Sequence, residues 1–162
     1  MKKKVAIASD HGGFELKEKI KKHFKSKYQF VDVGTNSTDS CDYPDYAIKA
    51  AELVRDNQVE FGIVICKTGV GVSIAANKVK SVRCALVYDE AHAILAHQHN
   101  LANVIALGAS DVSPRKAYKI IEAYANTEFE QRHQRRVDKI IAYESKWWKS
   151  KYIWWWKSKY RV

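Results

Sequence analysis

Phe61-Gly62-Ile63-Val64-Ile65-Cys66-Lys67-Thr68-Gly69-Val70-Gly71-Val72 changes character halfway along. Phe61–Ile65 is short, rich in β-branched residues and free of charge, the pattern of a strand buried on both faces. Cys66 to Gly71 then brings two glycines, and residues 72–77 are mostly small helix formers. Strand, glycine loop and helix in that order make the first half of a β-α-β unit. The same order recurs on either side. Val5–Ala8, Phe30–Val33, Cys84–Val87 and Val104–Leu107 read as further buried strands. Phe14–Phe24, Tyr46–Val54 and Glu90–Gln98 read as helices between them, with Leu16, Ile20 and Phe24 on one apolar face. Ser113-Pro114 opens another helix, serine as N-cap and proline at the first helical position. A last helix is predicted over about Glu128–Tyr143, burying Val137, Ile140 and Ile141. The alternation predicts an α/β fold: a five-stranded parallel sheet with right-handed crossovers, flanked by helices on both faces.

A chain of 162 residues suits one domain with a core of its own. No run of about 18 apolar residues could span a bilayer. The basic start, Met1 to Lys4, leads into an apolar stretch that is too short for a secretory signal and meets Asp10 and His11. Three cysteines, Cys41, Cys66 and Cys84, are odd in number and lack CxxC or zinc-like spacing. Free thiols, a reducing cytoplasmic location and no metal site are the expectation. The net charge of +10 is unevenly placed. From Ser145 onward there are six basic residues and no acid, so 28 less six leaves 22 basic against 18 acidic residues in 1–144. All five tryptophans lie in that tail, where Trp147-Trp148-Lys149-Ser150-Lys151-Tyr152 recurs as Trp155-Trp156-Lys157-Ser158-Lys159-Tyr160. Two segments follow: a domain over 1–144 and a basic, Trp-rich extension over 145–162.

Ligands of parallel sheets bind beyond the carboxyl ends of the strands, so the residues that follow each strand matter most. After the first come Asp10-His11-Gly12-Gly13; after the third, Cys66-Lys67-Thr68-Gly69-Val70-Gly71. Glycines let backbone approach a ligand, and amides at a helix start favour an anion and a thiolate, which would make Cys66 a base or nucleophile. The same residues also suit a buried strand-end cysteine beside an ordinary glycine turn. The Gly-Lys-Ser/Thr ending of a nucleotide P-loop is absent. Asp10 and His11 offer a carboxylate and an imidazole at the neighbouring strand end. His92 and His97 read as helix-surface residues, whereas His99, at a helix end beside Asn100, is the better acid. Arg132 and Arg136, four apart, share a helical face that either grips one phosphate or is simply solvated.

In order along the chain, Asp10-His11-Gly12, Asp42-Tyr43-Pro44, Cys66-x-Thr68-Gly69-Val70-Gly71, Ala75-Ala76-Asn77-Lys78, His99-Asn100-x-x-Asn103-Val104 and Arg132-His133-x-x-Arg136-Val137 resemble the type B ribose-5-phosphate isomerases. The resemblance covers about residues 3–144; isomerases of allose 6-phosphate and galactose 6-phosphate share the superfamily. It implies a three-layer, Rossmann-like fold and an enzyme of the non-oxidative pentose phosphate pathway. That enzyme interconverts ribose 5-phosphate and ribulose 5-phosphate through an enediolate, without cofactor or metal. It further implies a homodimer, or a pair of dimers, with active sites near the subunit interface. By resemblance, Cys66 is the base, His99 the acid that opens the furanose ring, and Thr68 a polarising or relay group. The amides of Gly69, Val70 and Gly71 hold the enediolate charge. Asp10 and Asn100 bind sugar hydroxyls, His11, Arg132 and Arg136 surround the phosphate, and Tyr43 walls the pocket. A second branch of the family replaces the cysteine by a glutamate just after the glycine loop; Val72 stands there and cannot accept a proton. Glycine is usual where this chain has Lys67, and arginine frequent where it has Ser110, so Lys67 is expected to add a binding cation beside Cys66. The same chemistry on a six-carbon sugar phosphate is one alternative. Another is an inactive isomerase fold that binds nucleic acid or membrane through the tail; the leading reading needs neither partner.

Overall fold

The computed structural model describes residues 2–149. These fall into two compact units, one ending at Glu130 and the other starting at Gln131. The first unit holds β1 (Lys3–Ser9), α1 (Phe14–His23), β2 (Tyr28–Asp32), α2 (Tyr43–Arg55), β3 (Phe61–Cys66), α3 (Val70–Ala76), β4 (Cys84–Leu86), α4 (Glu90–Asn100), β5 (Val104–Gly108) and α5 (Pro114–Ala125). The second holds a 3-10 turn, Gln131–His133, and α6 (Gln134–Lys149). Among the described residues no helix is long and apolar enough to cross a membrane.

All four strand pairings are parallel, in the order β2-β1-β3-β5-β4. Alternation along each strand divides the core in two. Val5, Ile7, Ile63, Ile65, Ile105 and Leu107 face one way, against Leu16 and Ile20 of α1, Ala93 and Ala96 of α4, and Ile120 and Ile121 of α5. Ala6, Ala8, Val64, Cys66, Val104 and Ala106 face the other, against Ala47, Ala50 and Ala51 of α2 and Val72, Ala75 and Ala76 of α3. Small residues meet small residues on that second face, so α2 lies close to the sheet. Three layers result, and the α/β class read from the sequence is borne out. The side chain of Cys66 belongs to the α2–α3 layer.

Local signals explain most element ends. Ser113 is extended and its Oγ accepts the Lys116 amide, capping α5 as read from the sequence. α2 starts three residues earlier than expected because Pro44 is tolerated in a first helical turn. The last helix differs more. It starts at Gln134, not near Glu128, because the Glu130 amide donates to the Gln98 carbonyl, 2.9 Å away, instead of building a helix. Arg132 therefore sits in the 3-10 turn while Arg136 is in α6, so the two are not an i, i+4 pair of one helix. α6 runs on through residues 145–149, the start of the extension. The repeated Trp-Trp-Lys-Ser-Lys-Tyr motif lies almost wholly outside the described residues.

One ionic cluster ties α1 to the end of β2. Lys17, 2 % exposed, donates to Asp32 Oδ2 and the Thr35 carbonyl, each at 2.7 Å. Lys21 reaches the same Asp32 oxygen, and the Gly34 amide donates to the other. Burial alone would raise the Asp32 pKa; the bonds from Lys17, Lys21 and Gly34 outweigh it and hold the carboxyl below its ordinary range. A carboxyl depressed in the folded state stabilises above its unfolded pKa of about 3.9 and loses that contribution as pH falls through the folded value. Urea midpoints of wild type and Asp32→Asn should therefore differ clearly at neutral pH and converge in acid; a gap independent of pH contradicts this.

Candidate active site

β3 is central and all six of its residues are buried, so its last side chain emerges at the middle of the carboxyl edge of the sheet. That residue is Cys66, 6 % exposed. Lys67 and Thr68, both exposed, carry the chain over the edge, and Gly69 turns it back with φ +74°. The turn brings the Gly69 amide onto Cys66 Sγ at 3.1 Å, sulfur as acceptor. A Cβ on Gly69 would lie 2.5 Å from Leu86 Cδ1 and 2.9 Å from the Leu107 carbonyl carbon, so the position has no room for a side chain. α3 follows at once. Its first main-chain bond runs from the Ser73 amide to the Gly69 carbonyl, so the Gly71 and Val72 amides have no acceptor within the helix. The Val70 amide leans on Thr68 Oγ1 at 3.4 Å.

Three neighbours fix this loop. The Ala109 and Ser110 amides donate to the Cys66 and Lys67 carbonyls, each at 2.9 Å, extending the β3–β5 ladder past the sheet. Gly12 packs on the Lys67 backbone, where a Cβ would sit 3.2 Å from its nitrogen. Tyr43, first residue of α2, lays its ring on Gly71 so closely that a Cβ there would fall 2.7 Å from the ring.

At the next strand end, buried Asp10 accepts the Gly13 amide at Oδ1, 3.1 Å away, and caps the His11–Gly13 turn. His11 is exposed, and its Nδ1 accepts the Cys41 amide at 3.2 Å. Cys41 itself carries no sequence signal; it matters only because the β2–α2 loop folds back over His11. Cys84, in edge strand β4, is no rival base: desolvation pushes its thiol up to about 12.

His99 and Asn100 are not brought to this cluster within one chain. α4 runs back against the strands, and Leu101–Asn103 beyond it bond to residues where strands begin. The Gly62 amide donates to the Asn103 carbonyl, and Arg83 Nε to the Leu101 carbonyl. An 11-residue helix is about 16 Å long, so His99 stands at the opposite edge from Cys66. In the second unit, Arg132 and Arg136 are exposed and His133 is buried, its Nδ1 2.6 Å from Arg136 Nη1.

Residues 5–140 match the family model described as Ribose/Galactose Isomerase. The probable ribose-5-phosphate isomerase B of Mycoplasma genitalium is 48% identical over 146 residues, 88% of this chain and 96% of the relative. Ribose-5-phosphate isomerase B of Escherichia coli is 41% identical over 146 residues, 89% of this chain and 98% of its own. Among solved structures, ribose-5-phosphate isomerase B of Clostridium thermocellum superposes with a TM-score of 0.87 at 42% identity, covering 89% of this chain and 99% of that one. The Mycoplasma genitalium enzyme with bound ribulose-5-phosphate gives 0.83 at 46% identity, covering 88% and 96%. The likeness extends over nearly the whole length of these proteins, and the chain belongs to the ribose/galactose isomerase family.

Proposed function

We propose that this protein is a ribose-5-phosphate isomerase, an enzyme that interconverts D-ribose 5-phosphate and D-ribulose 5-phosphate by proton transfer between C2 and C1. The observation that carries the reading is the Gly69 turn, which fixes Cys66 Sγ beside helix-start amides without an internal acceptor. Such chemistry needs a base over the carbon and preorganised donors where negative charge grows. Cys66 takes the proton, the Gly69–Gly71 backbone stabilises the enediolate oxygen, and Thr68 polarises or relays. Asp10 and Asn100 hold sugar hydroxyls; His11, Arg132, Arg136 and Lys67 serve the phosphate end. The names of the similar proteins above support the five-carbon substrate. Three free cysteines suit the reducing cytoplasm. Residues 1–144 are the catalytic domain and 145–162 an appended extension.

The working form is a homodimer with shared sites. One chain puts Cys66 and His99 at opposite edges of its sheet, so His99 and Asn100 of a second copy complete the pocket. The surface supports this. Short edge strand β4 is flanked by exposed apolar side chains, Val70 and Ile74 on α3 and Ile94 and Leu95 on α4, with Ile74 54% exposed. Apolar exposure of this kind marks an interaction face, and a two-fold pair buries the same patch on both partners.

Two experiments test the reading. The Cys66→Ala and His99→Asn proteins should each be inactive in a coupled ribose 5-phosphate assay. Refolded together in equal amounts, half of the dimers are mixed and each mixed dimer has one intact site of two, so about a quarter of wild-type activity should return. No recovery contradicts shared sites, and a wild type unable to turn over ribose 5-phosphate contradicts the function. Gly69→Ala should cost about 1–2 kcal/mol of stability or more through its left-handed φ and roughly 10²-fold in kcat through the displaced amide. An unchanged kcat removes the loop from the mechanism.

A further inference from the structure

His11 lines a cavity of about 280 Å³ with Gly12, Lys19, Thr38 and Ala109. Its Nδ1 receives the Cys41 amide at 3.2 Å, with Cys41 Sγ 3.9 Å from the same nitrogen. A backbone amide can only donate, so Nδ1 must offer its lone pair and the ring proton must sit on Nε2. His11 then donates through Nε2, which suits it to an anionic oxygen.

The bond depends on where the β2–α2 loop lies, and residues 33–42 contain no regular structure. Main-chain bonds hold its start: the Val33 amide to the Ile7 carbonyl and the Thr35 amide to the Ser9 carbonyl. Side-chain turns continue it, the Ser37 amide donating to Thr35 Oγ1 and the Asp39 amide to Ser37 Oγ. Tyr46 of α2 bonds the side chains of Cys41 and Thr35, and a further tie crosses from α1. Lys17, almost wholly buried, donates to the Thr35 carbonyl at 2.7 Å while Asp32 neutralises it. Burying an ammonium is costly unless it is paired and bonded in this way, and Lys17 lies in the helix that directly follows the His11 turn.

We propose that Lys17 is a positioning residue for His11: by holding the Thr35 carbonyl it fixes the loop whose Cys41 amide keeps the ring in its Nε2–H form. The consequence for catalysis rests on the isomerase reading; the tautomer itself does not.

Long-range proton–nitrogen correlation spectra of ¹⁵N-labelled protein at mildly alkaline pH distinguish the two ring nitrogens, with His11 assigned by the signals lost in His11→Asn. Wild type should show Nδ1 bare and Nε2 protonated. Lys17→Met leaves Asp32 bonded to Lys21 and Gly34. It should show mixed tautomers at His11 and raise KM for ribose 5-phosphate roughly tenfold, with kcat within about threefold of wild type. A proton on Nδ1 in wild type overturns the proposal, as does a folded Lys17→Met protein with tautomer and KM unchanged. If Lys17→Met does not fold, Cys41→Pro deletes the amide alone and must release the tautomer, while Cys41→Ser keeps the amide and must keep the tautomer. The wild-type form persisting in Cys41→Pro overturns the proposal. A wild-type protein inactive on ribose 5-phosphate but with the expected tautomer would sink the isomerase reading and leave the structural half of this one standing.

Discussion

A single left-handed residue organises the carboxyl edge of the sheet. Gly69, at φ +74°, is the one described glycine with positive φ, and its surroundings leave no space for a Cβ. Because it turns there, its amide meets Cys66 Sγ, α3 starts without a spacer, and the β5 end can continue pairing along Cys66 and Lys67. A residue with a side chain would have to relieve both a torsional penalty and a backbone clash. The chemistry is therefore bound up with a fold decision made at one position.

The second constraint is the pairing of small residues across one face of the sheet. Ala6, Ala8 and Ala106 let the alanine-rich face of α2 come close. That closeness carries Tyr43, the first residue of α2, onto Gly71. The opposite face is filled by isoleucines and leucines and holds the helix that carries Lys17. One layer thus shapes the wall beside Cys66, and the other anchors the loop that reaches His11. Packing and site construction use the same residues.

Much of this was legible in the residues because the signals are local. A β-branched run followed by a glycine loop says where β3 ends, and the ends of β1 and β3 become neighbours once the sheet is parallel. Ser113-Pro114 announces α5 in the same way. Contacts between segments distant in sequence were not legible. Nothing in the sequence sets Lys17 apart from the other lysines of α1, although it bonds Asp32 and Thr35, and Cys41 acts through a backbone amide that no motif records. The start of α6 depends on Glu130 bonding to Gln98, which no helix signal encodes. His99 is an intermediate case. Its motif suggests the site, but the direction of α4 puts it at the far edge, and the proposed homodimer would reconcile the two.

In the proposed reaction the Cys66 sulfur, held by the Gly69 amide, faces the carbon that loses its proton. A crystal structure with a planar hydroxamate mimic of the enediolate tests it most directly. The account expects Cys66 Sγ roughly 3–4 Å from the atom standing for C1 or C2, with the mimic's anionic oxygen on the Gly69–Gly71 amides and His99 contributed by the partner subunit. A ligand bound with Cys66 still sealed in the α2–α3 layer, or with His99 reaching it from the same chain, would contradict it.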